Sequence, residues 1–296
     1  MTYPWYTHIV LQRLLKIDLS VINESPLRIG SGKAPPLRAV DLPIITVRLP
    51  GGDTAYIPGS SLKGVIRSTC ELIAKSSRIQ GICEAGQCGN KYLDSTGDIT
   101  YHKALDRALR ANNVRDAQEI LARYCLVCKT FGSSSFGSHV DFQDLYPTSR
   151  VALGVKSGIA INRRSGAVRR GALYEAEYIE PGHEFAGSVT VRNLPNYLLG
   201  LILLSLDYLN SGMVKLGGFK SRGFGEVAVK ITKIDGYTLE WETGPLLPLS
   251  DVTTLKGLDE LDEDVAFDLT DIHQTLNNLK KRWFEYVQAA RRGPPG

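Results

Sequence analysis

Four cysteines stand at spacings that suit metal coordination. Cys83 and Cys88 are separated by four residues, and Cys125 and Cys128 form a C-x2-C pair. Cysteine thiolates bind Zn²⁺ tetrahedrally, and each pair can supply two ligands from one turn of the chain. Four thiolate ligands leave no coordination position open, so we predict a structural zinc site. Five cysteines are too few for a disulfide scaffold, so the alternative is four unligated thiols, with or without incidental disulfides.

The second chemical feature is the basic segment KSGIAINRRSGAVRRG, at residues 156–171. Arg163 and Arg164 precede a glycine turn, and Arg169 and Arg170 follow it. A hairpin of this kind can lie along a nucleic-acid backbone and place apolar side chains against bases. The net charge of the chain is only +4, so this local patch, and not the overall charge, indicates a polyanionic partner. The alternative is a solvated surface loop.

A glycine-rich loop, LGGFKSRGFGEV, covers residues 216–227. Glycines allow backbone conformations closed to other residues, and exposed N–H groups beside cations can cradle phosphates. The loop lacks the Gly-Lys-Ser/Thr ending of a P-loop, and the strand that follows it excludes a dinucleotide-binding fingerprint. The alternative is an ordinary turn before a strand. The residues that we assign to phosphate binding are Gly217, Gly218, Lys220, Arg222 and Gly223.

Two further places in the sequence carry polar groups that could act on a ligand. Asp41 is a lone carboxylate in the apolar stretch RAVDLPII, where it can position a metal ion, accept a proton or cap a turn. The segment IPGSSLKGVIRS predicts a helix with Ser60 or Ser61 as its N-cap. Lys63 and Arg67 are four residues apart, so they share one face near the start of that helix.

The elements that must position these residues follow the order strand, helix, strand, strand, helix, strand. Hydrophobic periodicity places them near residues 13–22, 60–76, 139–145, 184–192, 195–210 and 225–234. This βαββαβ order predicts an α+β fold with a ferredoxin-like (RRM-like) core, which many RNA-binding modules share.

Large insertions separate these elements. We expect a core over residues 1–245 that carries a zinc-bound helical insertion at 78–130 and a basic hairpin at 151–180. Residues 246–296 are predicted to form an acidic linker followed by an amphipathic helix. That helix could pack on its own domain or on a neighbouring subunit.

Composition is that of a soluble globular protein, with 43% hydrophobic and 22% charged residues in a chain of 296. Apolar runs fall short of the roughly 18 to 20 residues that span a bilayer. The N-terminus lacks the layout of a signal peptide. We therefore expect a cytoplasmic protein with no membrane partner.

Three separated motifs occur together in this chain: IPGSSLKGVIRS, CKTFGSSSFGSHVDFQD and LGGFKSRGFGEV. Over residues 13–235 the chain resembles the CRISPR-associated RAMP superfamily, and in particular the repeated backbone subunit of type III (Csm/Cmr-like) effector complexes. The resemblance implies a ferredoxin-like core with a thumb-like hairpin, stacked in a filament along a guide RNA in antiviral defence. The implied partners are CRISPR guide RNA, target RNA, other subunits of the effector complex, and further copies or paralogues of this chain.

The resemblance also implies roles for particular residues. Asp41 takes the place of an aspartate that, in many members, carries metal-dependent cleavage of target RNA, here with Mg²⁺ or Mn²⁺. The segment 156–171 matches the thumb, and some members carry zinc where the four cysteines lie. Besides the glycine loop, the residues that match the surfaces holding the guide backbone are Ser60, Ser61, Lys63 and Arg67. Two alternatives stay open: a non-catalytic RNA-binding scaffold, and an endoribonuclease that processes CRISPR transcripts.

Overall fold

A computed structural model describes residues 4–31, 40–93, 99–239 and 246–292, with the backbone alone at residues 160, 168–172, 239, 246 and 247. Within these ranges the strands are β1 Arg13–Asn23, β2 Thr46–Leu49, β3 Gly52–Ala55, β4 Val140–Phe142, β5 Tyr146–Pro147, β6 Leu153–Ile161, β7 Val168–Ile179, β8 Glu184–Arg192, β9 Val227–Leu239, β10 Leu246–Pro248, β11 Val252–Leu255 and β12 Val265–Asp268. The helices are α1 Gly59–Ser76, α2 Tyr101–Arg110, α3 Val114–Ala122, α4 Leu126–Phe131, α5 Asn196–Asn210 and α6 Ile272–Arg292. The fold is mixed α+β, as predicted.

Strand β1 is the centre of the main sheet. It pairs antiparallel with β8 on one side and with β9 on the other, in the order β10-β9-β1-β8-β4, and β5 also pairs with β8. At the C-terminal end of β1, Ile22 faces Glu184 and Asn23 faces Val227. The end of β1 therefore lies beside the beginnings of β8 and β9, because antiparallel neighbours run in opposite directions.

The core lies where helix α5 packs against α1, α6 and β9. The sequence of α5 is apolar almost all round, which is the pattern of a helix covered on several sides. Leu15 of β1, Phe185 of β8 and Trp283 of α6 are each no more than 2% exposed. Within the described ranges, no helix combines the length and apolar character that crossing a bilayer requires.

Two insertions interrupt the main sheet and its helices. Helices α2, α3 and α4 occupy the cysteine-bounded segment after α1, where the sequence predicted a partly helical insertion. Strands β6 and β7 form a separate antiparallel hairpin that leads into β8. The single strand predicted near residues 139–145 is two short strands, β4 and β5, which both pair with β8.

The segment after residue 245 differs from the predicted acidic linker. β10 extends the main sheet, β11 and β12 form a hairpin, and α6 packs on α5. The acidic run is held by donors within the chain: Asp259 accepts hydrogen bonds from Trp5 Nε1 at 3.0 Å and Tyr197 Oη at 2.8 Å. Asp262 accepts from the Asn196 amide at 3.0 Å. Asp259 and Asp262 are only partly exposed, and partly buried carboxylates need such donors, so these two residues attach the otherwise exposed run to the packed structure.

A buried histidine joins the N-terminal segment to the sheet. His139 is 0% exposed, and its Nδ1 donates to the Arg192 carbonyl at 2.9 Å. Its ring stacks on His8 with centroids 4.2 Å apart and meets the edge of Trp5. Burial lowers the pKa of His139 from 6.5 to about 4, because the charged ring would lose its hydration.

We predict that Gly200→Ala destabilises the contact between α5 and α6. A Cβ at residue 200 would lie 2.1 Å from the Leu279 carbonyl oxygen, so the helices would have to separate. The expected loss is about 1–3 kcal/mol of unfolding free energy in urea denaturation followed by circular dichroism. Gly64→Ala in helix α1 is the control, because nothing lies within 4 Å of its Cβ, and it should gain about 0.5–1 kcal/mol. Equal effects of the two variants would contradict the proposed close approach.

The buried His139 makes a second prediction, about stability at low pH. Between pH 6.5 and pH 4 the unfolded chain binds a proton at this residue that the folded chain does not, so stability falls as pH is lowered. From pH 7 to pH 4, the unfolding free energy of the wild type should fall by about 3 kcal/mol more than that of His139→Asn. Asp262, whose pKa burial raises to about 6, acts in the opposite direction but is present in both proteins and cancels. A pH-independent difference between the two proteins would refute the prediction.

Candidate metal centre and nucleic-acid interface

The four cysteines predicted as metal ligands meet in space. Cys83 and Cys88 lie in the loop after α1, Cys125 caps the N-terminus of α4, and Cys128 lies in its first turn. All four Sγ atoms are within 4.8 Å of one another. The Sγ of Cys83 is 3.3 Å from that of Cys128 and 3.8 Å from that of Cys125.

These distances fit a tetrahedral zinc site. A Zn–S bond of about 2.3 Å gives sulfur–sulfur separations of about 3.8 Å, far longer than the roughly 2.05 Å of a disulfide. The Cys125 amide donates to Cys88 Sγ at 3.4 Å, and hydrogen bonds from the Cys128 and Cys88 thiols lower the pKa of Cys125. The cluster can therefore hold a metal ion such as zinc with all four positions filled by protein, which suits a structural role.

Helix α1 begins differently from the sequence prediction. Its N-cap is Pro58, and neither Ser60 nor Ser61 caps it, because the Gly59 amide donates to Asp144 Oδ1 at 2.8 Å. Gly59 is required here, since a Cβ would lie 2.2 Å from the Phe142 carbonyl oxygen. The capping group comes from another part of the chain, and Ser60 is exposed at the start of the helix.

The two basic residues of α1 have different surroundings. Arg67 donates from its guanidinium to Cys128 Sγ at 3.4 Å, so its head lies against the cysteine cluster. Lys63, one turn earlier, lines an open groove with Arg67 and the loops at residues 85–90 and 131–138. Partial burial lowers the pKa of Lys63, against the opposing effect of Asp141.

The glycine loop packs on the segment that follows β1. The Gly218 amide donates to the Arg28 carbonyl at 2.7 Å, and the Gly225 amide donates to that of Pro26 at 2.9 Å. Gly217 has a φ of +78°, and a Cβ there would lie 2.4 Å from the Arg28 carbonyl oxygen. Tight backbone contact thus requires glycine at this position, whereas the tip of the loop at residues 220–223 is exposed.

Aromatic rings and cations connect this loop to the base of the β6–β7 hairpin. The guanidinium carbons of Arg28 and Arg222 lie 5.1 Å and 4.7 Å from the centre of the Phe219 ring. Arg222 also donates to Tyr174 Oη in β7. Lys156 Nζ of β6 lies 5.0 Å from the centre of the Phe224 ring. Cation–π contacts of this kind hold basic side chains at a surface and keep their charge available to a polyanion.

The sequence analysis did not identify two of these residues as part of the site. Arg28 lies in a loop remote along the chain from the basic segment, and Tyr174 is an isolated tyrosine in a strand. Gly158 lies opposite Tyr174 in the hairpin, and the Tyr174 ring covers it. This glycine is the feature of the sequence that could have pointed to Tyr174. A cross-strand glycine opposite an aromatic residue often marks such a contact.

Asp41 lies beside the same hairpin. Its exposed carboxylate accepts a hydrogen bond through Oδ2 from the Glu175 amide at 2.9 Å. The following residue, Leu42, pairs with β7 through hydrogen bonds to the Glu175 carbonyl at 3.0 Å and from the Glu177 amide at 3.1 Å. These bonds hold Asp41 against β7 at Glu175, the residue that follows Tyr174 in the strand.

The remaining predicted RNA-binding residues lie at the far end of the hairpin. Arg163 and Arg164 are exposed in the turn between β6 and β7. Arg169 and Arg170 belong to β7, and their side chains lie outside the described part of the structure. The contacts therefore form two centres. In one, the hairpin contacts Asp41 and the glycine loop, which also contacts Arg28; in the other, Arg67 contacts the cysteines.

We predict that the cysteine cluster binds one zinc ion per chain and folds the insertion. Cys128→Ser should lose the zinc and expose helices α2 and α3, since structural zinc sites contribute on the order of 10–16 kcal/mol in peptides. Metal analysis and proteolysis of the insertion would test this. Cys70→Ser, at a buried cysteine outside the cluster, is the control and should keep its zinc. Full zinc content in Cys128→Ser would contradict the prediction.

Comparison with known proteins was made by family models and by individual sequences. The model of the RAMP superfamily matches residues 23–228, which is more than half of the chain. No individual curated protein matches the chain. The matched region includes Asp41, the cysteine insertion, the hairpin and the glycine loop. The chain therefore belongs to the RAMP superfamily and is a CRISPR-associated RNA-binding subunit.

Proposed function

We propose that this chain is a backbone subunit of a type III effector complex, which binds guide RNA and cleaves complementary target RNA with the help of a divalent metal ion. The observation that carries the proposal is the position of Asp41. Its carboxylate is exposed and accepts a hydrogen bond from the β7 backbone at Glu175, the residue after Tyr174, which itself accepts from Arg222 of the glycine loop. An acid at the edge of an RNA-binding surface can act on the bound strand.

The topology supports a ferredoxin-like core for this subunit. Strands β9, β1, β8 and β4 are neighbours in that order, and all of them pair antiparallel. Helix α1 follows β1 along the chain, and α5 follows β8. Both features support a βαββαβ unit whose insertions lie between its elements.

The charged surface supports binding to a phosphate backbone. Lys220 and Arg222 are exposed at the tip of the glycine loop, with Gly217, Gly218 and Gly223 beside them. Lys63 and the serines at positions 60 and 61 lie at the start of α1, and the hairpin turn carries Arg163 and Arg164. Such contacts hold a nucleic acid without reading its sequence, so specificity would come from pairing between guide and target.

The outer face of the hairpin supports contacts with other subunits or with bases. Val155, Ile159 and Ile161 of β6 are each more than half exposed, and Leu173 of β7, which faces Ile159, is 64% exposed. Exposed apolar stripes of this extent mark interaction surfaces in soluble proteins. We propose that further copies or paralogues of the chain, or the bases of the bound duplex, cover this stripe in the filament.

The proposed cleavage uses the chemistry of RNA itself. The 2′-oxygen of one nucleotide forms a bond to the adjacent phosphorus, the bond from phosphorus to the 5′-oxygen breaks, and a cyclic 2′,3′-phosphate and a 5′-hydroxyl result. Holding the strand so that these atoms are in line removes much of the barrier. Asp41 would accept the 2′-hydroxyl proton or hold Mg²⁺ or Mn²⁺, which when bound neutralises charge on the phosphate.

A non-catalytic scaffold is the second candidate function. Among the described residues, the four cysteines are the only group of three or more side chains arranged to hold a metal ion. Asp41 has no such set of acidic partners, and one of its oxygens serves a backbone hydrogen bond. In this alternative Asp41 fixes the loop to β7, and another subunit acts on the RNA.

The test is cleavage by a complex reconstituted with guide RNA and either wild type or Asp41→Asn. Asparagine keeps an acceptor for the Glu175 amide but removes the negative charge. With labelled complementary RNA and Mg²⁺ or Mn²⁺, we expect Asp41→Asn to bind target equally well and to cleave it 10²- to 10⁴-fold more slowly. Wild type should leave the 2′-deoxy version of the target intact.

Asp53→Ala is the matched control, since Asp53 is an exposed aspartate in the β2–β3 hairpin. It should cleave at the wild-type rate. Equal cleavage by wild type and Asp41→Asn, or no cleavage by either with target bound, would support the scaffold. Failure of the wild type to bind guide RNA would overturn both candidate functions.

A further inference from the structure

We infer that Arg67 is a residue of the metal centre, which ties the cysteine cluster to helix α1, and that Lys63 is the residue of α1 that contacts RNA. This inference rests on the proposed RNA-binding function and on metal binding by the four cysteines. It assigns different roles to Lys63 and Arg67, which lie on one face of α1 and for which the sequence predicted the same role.

All three nitrogens of the Arg67 guanidinium already have acceptors. Nε donates to Glu71 Oε1 at 3.3 Å, Nη1 donates to the Gly132 carbonyl at 3.1 Å, and Nη2 donates to Cys128 Sγ at 3.4 Å. The side chain of Arg67 is only 20% exposed. These bonds use three of the five guanidinium N–H donors, so a phosphate at Arg67 would compete with them and with the nearly buried Glu71 for the same cation.

The surroundings are shaped for this guanidinium. A Cβ on Gly86 would lie 2.8 Å from Arg67 Nη2, so the absence of a side chain at residue 86 makes room for the arginine. Glu71, the partner of Arg67, uses its other oxygen to accept from the Ala85 amide at 3.3 Å. Arg67 and Glu71 thus connect α1 with the loop that carries the first cysteine pair and, through Gly132, with the chain just after the second pair.

The charge of a zinc–thiolate site explains why a cation would contact Cys128. A Zn²⁺ ion with four thiolates carries a net charge of 2−, and a hydrogen bond from a cation to a ligating sulfur offsets part of it. Groups that hydrogen-bond to metal ligands orient them, and their loss commonly costs 10- to 100-fold in metal affinity. Arg67 can therefore strengthen zinc binding while zinc, in turn, holds the wall of the groove beside Lys63.

Lys63, unlike Arg67, is proposed to contact an RNA phosphate. It lines the same groove from one turn nearer the start of α1, with its ammonium near Asp141. A lysine that neutralises one phosphate of a single strand contributes about 0.7 to the slope of log affinity against log salt concentration. Metal affinity and salt slope are therefore independent measures of the two roles.

The experiment compares wild type, Arg67→Gln and Lys63→Gln as full-length proteins. Zinc affinity is measured by competition with a chelator, and guide RNA binding is measured across a series of salt concentrations. We expect Arg67→Gln to lose 10- to 100-fold in zinc affinity with an unchanged salt slope. Lys63→Gln should keep its zinc affinity and lower the slope by about 0.7.

Cobalt substitution supplies a spectroscopic readout that does not depend on RNA. A hydrogen bond to a thiolate stabilises the sulfur lone pair, so its loss should move the sulfur-to-Co²⁺ charge-transfer band to longer wavelength. We expect this shift in Arg67→Gln and not in Lys63→Gln. Arg67→Lys, which keeps the charge and one donor, should lie between wild type and Arg67→Gln, and it keeps the test open if the glutamine variant does not fold.

Three results would overturn the inference. One is wild-type zinc affinity and an unshifted cobalt band in Arg67→Gln. Another is a salt slope that falls in Arg67→Gln as it does in Lys63→Gln, which would make Arg67 a phosphate ligand. The third is a wild-type protein that binds RNA but no zinc, which would remove the metal centre and leave the RNA-binding function intact.

Discussion

The antiparallel register of β1 between β8 and β9 is the constraint on which the interface depends. Because neighbouring strands run in opposite directions, the chain leaving β1 emerges beside the chains entering β8 and β9. The first of these carries Arg28 and Asp41, the second carries the β6–β7 hairpin, and the third carries the glycine loop. Segments more than a hundred residues apart in sequence therefore meet at one edge of the sheet.

At that edge, contacts between the segments are short and specific. Backbone bonds join the glycine loop to Arg28, and the Asp41 side chain accepts a hydrogen bond from the β7 backbone. The Phe219 ring has cations from two segments, Arg28 and Arg222, at 5.1 Å and 4.7 Å from its centre. The hairpin is thus attached through Tyr174 and Glu175 of β7, and its basic turn, with Arg163 and Arg164, is exposed. Asp41 is thereby bonded to the same hairpin that carries the basic turn and the exposed apolar side chains.

The cysteine insertion is held in place by a different kind of contact. Helices α2, α3 and α4 are short, at 10, 9 and 6 residues, so a cross-link between the two ends of the insertion would help to hold their arrangement. The four thiols bring the two ends of the insertion together, and Arg67 and Glu71 connect that junction to α1. The C-terminal segment is held by hydrogen bonds instead. Carboxylates of its acidic run accept them from Trp5, Tyr197 and Asn196.

The sequence by itself determined the features that depend on near neighbours along the chain: the strand and helix periodicities, the cysteine pairs, the glycine loop and the basic turn. It could not assign Asp144 as the cap of α1, the distinct partners of Lys63 and Arg67, or the role of Arg28 and Tyr174. The acidic run had the composition of a solvated linker, but two of its aspartates, Asp259 and Asp262, attach it to the rest of the fold. Each of these depends on which distant segments lie side by side, and only the strand register and the close contacts of the folded chain decide that.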